Sequence, residues 1–138
     1  IRVIRNGPLR HTNLKTMPYP GFPTDMHPQM AAAMVLADGS SHITEGVWPN
    51  RFRYAEELEK MGAHISVFKE TAVIEGVPDL VGTDVVAHDL RAGAAMVIAG
   101  LAAQGVTTIS NIGYVERGYE KLVEMVSGIG GEMERVNE

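Results

Sequence analysis

Five side chains could do chemistry together. Asp25 and Asp89 are carboxylates able to accept a proton, and Arg51, Arg91 and Arg117 are guanidiniums whose planar fork suits a carboxylate or a phosphate. Asp25 closes the run Pro18-Tyr19-Pro20-Gly21-Phe22-Pro23-Thr24-Asp25. Three prolines and a glycine within six residues exclude regular structure, because proline fixes φ and lacks an N–H. This stiff loop delivers Asp25 to the mouth of an apolar helix that runs to Ala37, and Pro28 fits only a first helical turn. Asp25 is therefore either a helix N-cap or a general base held still by the loop. For Asp89, directly before the helix Arg91 to Ala103, the cap reading leads. Arg51 and Arg117 read as opening exposed helices, where the macrodipole is already positive. Either an anionic ligand or an intramolecular carboxylate must compensate them, and the same holds for Arg91.

The elements that position these groups repeat. Ile1 to Arg5 alternates as a short strand, Leu9 to Met17 is extended, and the helix from Pro28 to Ala37 is apolar nearly all round. Ser41 to Glu45 alternates as a strand, and Asn50 is a candidate N-cap for an amphipathic helix Arg51 to Met61 that Gly62 ends. His64 to Phe68 and Ala72 to Glu75 form a hairpin. A strand at Asp84 to Ala87 then restarts the order, with the helix Arg91 to Ala103, a strand Val106 to Asn111, a helix Gly118 to Ile129 and a closing strand Glu132 to Val136. Aligned without gaps, the copies pair Asp25 with Asp89; with a shift of two residues they pair Gly39 with Gly105 and Arg51 with Arg117. A repeated β-α-β-α-β order implies an α/β layer structure in which equivalent loops emerge on one side, so both Asp–Arg sets group at helix N-termini.

Composition narrows the function. A chain of 138 residues with 45% hydrophobic and 21% charged content supports one soluble domain with a core. A net charge of −5 speaks against nucleic-acid or anionic-membrane binding, which need a basic face. Without cysteine there are no disulfides or thiolate metal sites, the five histidines show no metal spacing, and no cofactor motif is present, so neither metal nor cofactor is expected. His27 and His88 read as solvated loop histidines, Trp48 and Phe52 as packing residues, with Trp48, in the loop before Arg51, also placed to line a pocket, and the eight methionines as mainly core. The longest apolar run, Ala92 to Ala103, is too short to span a bilayer, and no signal peptide is visible; a cytoplasmic location is expected. The chain opens without methionine and in mid-pattern, as a segment of something longer would.

At these residues the chain resembles the C-terminal part of the UDP-N-acetylglucosamine enolpyruvyl transferases (UDP-N-acetylglucosamine 1-carboxyvinyltransferases). The matching segments are Lys15 to Met26, Asn50-Arg51-Phe52, Met61-Gly62-Ala63-His64, Asp89-Leu90-Arg91-Ala92 and Arg117-Gly118-Tyr119-Glu120, in the family's order and spacing. The resemblance implies a fold of repeated βαβαββ units with helices inside and sheets outside, an inside-out α/β barrel. This chain would hold two of them, at about 18–80 and 81–138, as a partial C-terminal domain. It also implies transfer of the enolpyruvyl group of phosphoenolpyruvate to the 3′-hydroxyl of UDP-N-acetylglucosamine in peptidoglycan synthesis. On that basis Asp25 contacts the sugar hydroxyl as the base, Val47 contacts the sugar nucleotide through its backbone, Arg117 holds phosphoenolpyruvate, and Arg51, Asp89 and Arg91 are further charged residues of the cleft. The proline-rich segment before Asp25 speaks against the related shikimate-pathway transferase. The family's N-terminal lysine and cysteine-bearing loop have no counterpart, so the chain alone is expected to be inactive and to self-associate through an uncovered apolar face. The rival reading is a non-catalytic sugar-nucleotide-binding or structural module of the same fold.

Overall fold

The computed structural model describes residues 1–136. Strand β1 (Asn13–Lys15) leads through the proline loop and a 3-10 turn (Thr24–Met26) into helix α1 (His27–Met34), followed by β2 (Ser40–Thr44). A second 3-10 turn (Arg51–Arg53) runs into α2 (Tyr54–Lys60), and β3 (His64–Phe68) and β4 (Thr71–Glu75) form a hairpin. The order then restarts with β5 (Asp84–Val86), α3 (Leu90–Ala102) and β6 (Thr108–Ser110), and ends in α4 (Gly113–Glu116) and α5 (Leu122–Gly128).

Two sheets result. The first has the order β1-β2-β4-β3, with β1 parallel to β2 and the remaining pairs antiparallel; the second is the parallel pair β5-β6. Parallel neighbours require a crossover, and α1 and α3 supply it, so each half contains the same β-α-β step. The first half completes a βαβαββ order. The repeat extends to the backbone, because Gly39, Gly62, Gly105 and Gly130 follow α1, α2, α3 and α5 with φ of +90, +98, +88 and +92°. Glycine enters that region without strain: Gly62 and Gly130 directly follow the C-caps of α2 and α5, while Gly39 and Gly105 stand in the turns that lead from α1 and α3 into β2 and β6.

The core lies between the two halves. Ala31, Ala32 and Val35 of the first half meet Ala92, Ala95 and Ala99 of α3, all nearly inaccessible to solvent. Small side chains let the two helices approach closely, which fits the nearly all-round apolar pattern of the first. Tyr54, Leu58, Ile43 and Ile74 fill the space between this pair and the first sheet. Along α3, Ile98 and Leu101 remain exposed.

Several expected elements differ. Ile1 to Arg5 forms no strand; these residues are exposed, and an alternating pattern without a neighbouring strand has nothing to pair with. Glu132 to Val136 likewise forms no strand. Asn50 makes no side-chain cap, since the chain enters α2 through a 3-10 turn whose residues already have helical torsions. Of the helix expected over Gly118 to Ile129 only α5 (Leu122–Gly128) forms, after a break where Lys121 adopts a left-handed φ of 53°, and the short α4 lies ahead of that range. Packing explains the break: Val115 of α4 is buried, and Gly93 of α3 sits so close to it that any Cβ there would strike the valine.

Candidate active site

Asp25 lies in the 3-10 turn ahead of α1 and makes no cap hydrogen bond. Its Oδ1 instead accepts from Arg91 Nε at 2.9 Å and from Arg51 Nη2 at 3.5 Å, bringing a residue of each half onto one carboxylate oxygen. The Asp25 side chain is 58% exposed and that of Arg51 only 10%, so Arg51 is a nearly buried cation that supports an accessible anion. The hydrogen bond to Asp25 holds the Arg91 proton more firmly than usual, against the opposing effect of burial. Two cations converging on a solvent-facing carboxylate form a mixed-charge surface suited to a ligand with a hydroxyl and anionic groups.

Asp89 is spent differently. Its Oδ1 accepts from the N–H groups of Arg91 at 2.8 Å and Ala92 at 2.9 Å, which caps α3 and fixes the backbone from which Arg91 reaches Asp25. Arg117 ends α4 rather than opening a helix, correcting that expectation. Its guanidinium stacks 5.0 Å from the Tyr114 ring centroid, beside an open depression of about 410 Å³ lined by Asn111, Gly113, Tyr114 and Arg117. Arg117 makes no ion pair among the described residues and does not touch Asp25. The next residue, Gly118, abuts Leu90 at the start of α3, where a Cβ would come within 2.5 Å of the leucine Cδ1.

Beneath Asp25 lies a buried polar network that the sequence does not announce. Glu45, 2% exposed, accepts through Oε1 from Thr16 Oγ1 (2.6 Å), Val47 N (2.8 Å) and Trp48 N (2.9 Å). Through Oε2 it accepts from His27 Nδ1 (2.7 Å) and Thr24 Oγ1 (2.9 Å). The far side of the His27 ring meets the Tyr54 hydroxyl at 2.8 Å. Burial alone would raise the Glu45 carboxyl, but the hydrogen bonds from Thr16, Trp48, His27 and Val47 outweigh it and bring it down to about 2. His27 lies below its ordinary 6.5, because burial outweighs the neighbouring carboxylate. A neutral ring facing a carboxylate carries its proton on Nδ1, so Nε2 accepts from Tyr54, whose hydroxyl is pushed up by burial and by the Glu45 charge.

His27 is thus fully buried rather than solvated, correcting the expectation, and Phe52 packs edge-on against it with ring centroids 5.0 Å apart. His88 is two-thirds buried and bonds Glu57 at 2.9 Å. Trp48 is 54% exposed and does not pack as expected, because its loop is held through the backbone. The Val47 N–H is likewise taken up by Glu45, which leaves its carbonyl for any backbone contact with a ligand. Glu45 itself was recoverable from strand parity: Ser41, Ile43 and Glu45 lie on one face, and all three are buried. Met17, Met26 and Met125 are exposed, so the methionines are only partly core. Among the described residues no three His, Cys, Asp or Glu side chains converge to hold a metal ion.

Comparison with known proteins identifies the family. The sequence profile of EPSP synthase (3-phosphoshikimate 1-carboxyvinyltransferase) matches residues 1–126. The chain belongs to this family of carboxyvinyl, or enolpyruvyl, transferases. It is 52% identical over all its residues to UDP-N-acetylglucosamine 1-carboxyvinyltransferase 3 of Caldanaerobacter subterraneus, covering 33% of that protein. It is 53% identical over 137 residues to UDP-N-acetylglucosamine 1-carboxyvinyltransferase 1 of Carboxydothermus hydrogenoformans, again 33% of the relative. The chain therefore spans about a third of the length of the relatives it matches. Among solved structures, the enolpyruvyl transferase NikO from Streptomyces tendae superposes over 93% of this chain and 30% of its own, with a TM-score of 0.83 at 36% identity. EPSP synthase from Acinetobacter baumannii superposes over 80% of this chain and 28% of its own, with a TM-score of 0.73 at 22% identity, which supports the enolpyruvyl transferase fold.

Proposed function

We propose that these residues form part of the C-terminal domain of an enzyme that moves the enolpyruvyl group of phosphoenolpyruvate to the 3′-hydroxyl of UDP-N-acetylglucosamine. The observation that carries this reading is the Asp25 carboxylate, exposed, released from capping, and held by Arg91 and Arg51 from opposite halves of the repeat. The relatives' names supply the acceptor class. In the addition step the sugar oxygen bonds to C2 of phosphoenolpyruvate while Asp25 accepts the hydroxyl proton and the C2–C3 π bond takes a proton at C3 from an acid outside these residues. In the elimination C3 gives up a proton, the double bond re-forms and the C2–O bond to phosphate breaks. Arg117, without an internal carboxylate partner among the described residues, takes the anion of phosphoenolpyruvate, and Arg51 and Arg91 offset the charge that shifts during addition and elimination. Asp89 contributes by fixing the start of α3, and Val47 through its backbone carbonyl. The product class belongs to peptidoglycan building in the cytoplasm; no helix of the described residues is long and apolar enough to cross a membrane.

Turnover also requires groups that these residues do not supply, notably a cysteine, of which the chain has none. The test is a chimaera in which the matched third of the Caldanaerobacter relative is replaced by this chain. It is expected to release phosphate with both substrates, and Asp25→Asn to lower that rate by about 10²-fold or more, the usual scale for a lost general base. Calorimetric binding of UDP-N-acetylglucosamine without phosphate release by a folded chimaera would favour a non-catalytic module instead.

A further inference from the structure

The buried carboxylate beneath the site has a polarity that reaches the surface. A carboxylate only accepts hydrogen bonds, so every group facing Glu45 must turn a proton inward, and the Thr16 and Thr24 hydroxyls and the His27 ring then present a lone pair outward. Thr16 gives its hydroxyl proton to Glu45 and accepts from Gly46 N at 2.8 Å. His27 gives Nδ1–H and accepts from Tyr54. Thr24 gives its hydroxyl proton to Glu45 and accepts from Arg51 Nε at 3.1 Å, and Arg51 reaches on to Asp25. The five donors come from the end of β1, the turn before α1, α1 itself and the loop after β2, so one side chain ties together the segments that carry Asp25 and Val47. A packed apolar side chain would hold the fold as well without the cost of desolvating a charge, and it would set none of these directions.

We propose that Glu45 is a positioning residue for the transferase site: through Thr24 it orients Arg51 and hence Asp25, and through the Val47 and Trp48 N–H groups it fixes the adjoining loop. The inference rests on the function proposed above, and Thr24 is the link that separates it from a purely structural role.

The test uses Thr24→Val and Thr24→Ser in the chimaera, with Glu45→Gln beside them. Thr24→Val is expected to lower kcat roughly tenfold, the scale of one lost charge-assisted hydrogen bond, while KM for phosphoenolpyruvate stays within about twofold. Thr24→Ser, which keeps the hydroxyl, restores kcat. In the 138-residue chain, ¹⁵N NMR should show the Arg51 Nε–H signal moving in Thr24→Val and returning in Thr24→Ser. Glu45→Gln should move the His27 proton from Nδ1 to Nε2. A Thr24→Val chimaera with kcat within about twofold of the parent, or a loss that serine does not restore, overturns the relay. So does an Arg51 signal indifferent to Thr24, which decides the matter even if Glu45→Gln does not fold or the chimaera is silent. An Asp25→Asn chimaera as active as its parent would overturn the functional reading instead, leaving the Arg51 and His27 signals to report on the network.

Discussion

Asp25 and Asp89 occupy matching places in the two halves and do opposite work. Each stands at the start of an apolar helix, yet Asp89 folds back onto the backbone while Asp25 turns away to two guanidiniums. Backbone donors account for the difference. A capping carboxylate bonds the N–H groups two and three residues on. After Asp89 these belong to Arg91 and Ala92, and both donate. After Asp25 they belong to His27 and Pro28, and proline has no N–H. Asp89 also has the extended torsions of a cap, φ −157° and ψ 177°, whereas Asp25 already sits inside a helical turn. Pro28 has no N–H and His27 gives its own to Thr24 O, so Asp25 lacks the two backbone donors that Asp89 has. The capped half then supplies Arg91 to the uncapped one, so each copy contributes what the other has given up.

The contrast can be broken most forcefully at the carboxylates. Asp25→Asn should remove phosphate release by the chimaera by about 10²-fold or more, with KM and melting temperature changing far less. Acid tests the network beneath it. The folded values of His27 and Glu45 both lie below their ordinary ones, so the unfolded chain binds more protons as pH falls. Their contribution to stability is complete above about 6.5, begins to fall as the unfolded histidine protonates, and falls further between about 4.5 and about 2 as the carboxyl titrates. Urea midpoints at a series of pH values should show this decline, and Glu45→Gln should flatten its lower part. Asp89→Ala should cost about 1 kcal/mol in urea denaturation, the scale of a lost N-cap. Asp25→Ala, with no cap to lose and a largely exposed side chain, should change stability by about 0.5 kcal/mol or less. Equal losses for the two alanine variants would erase the distinction between the halves.

Much of this was legible in residue order. Helices α1 and α3, the hairpin at Lys69-Glu70 and the repeated β-α-β step follow from apolar runs, alternation and glycine punctuation, all local signals. The misses share a cause. Ile1 to Arg5 and Glu132 to Val136 alternate like strands, but a strand exists only beside another strand, and alternation does not say whether one is there. The break at Lys121 follows from docking α4 onto Gly93, a contact between segments far apart in sequence. His27 looked solvated because histidine types say nothing about depth; it is buried because Glu45, eighteen residues on, returns to meet it.

By itself the sequence determined the class of fold, the repeat, the stiff loop before Asp25 and the set of charged residues from which the site is drawn, because each depends on local sterics or on periodicity. Only the tertiary structure decided which charges meet. Arg91 reaches Asp25 because α3 packs along α1, Arg117 remains apart because α4 ends where it does, and Glu45 becomes the hub because strand β2 ends beneath the proline loop. Such pairings depend on how elements pack in three dimensions, and a linear pattern does not carry that information.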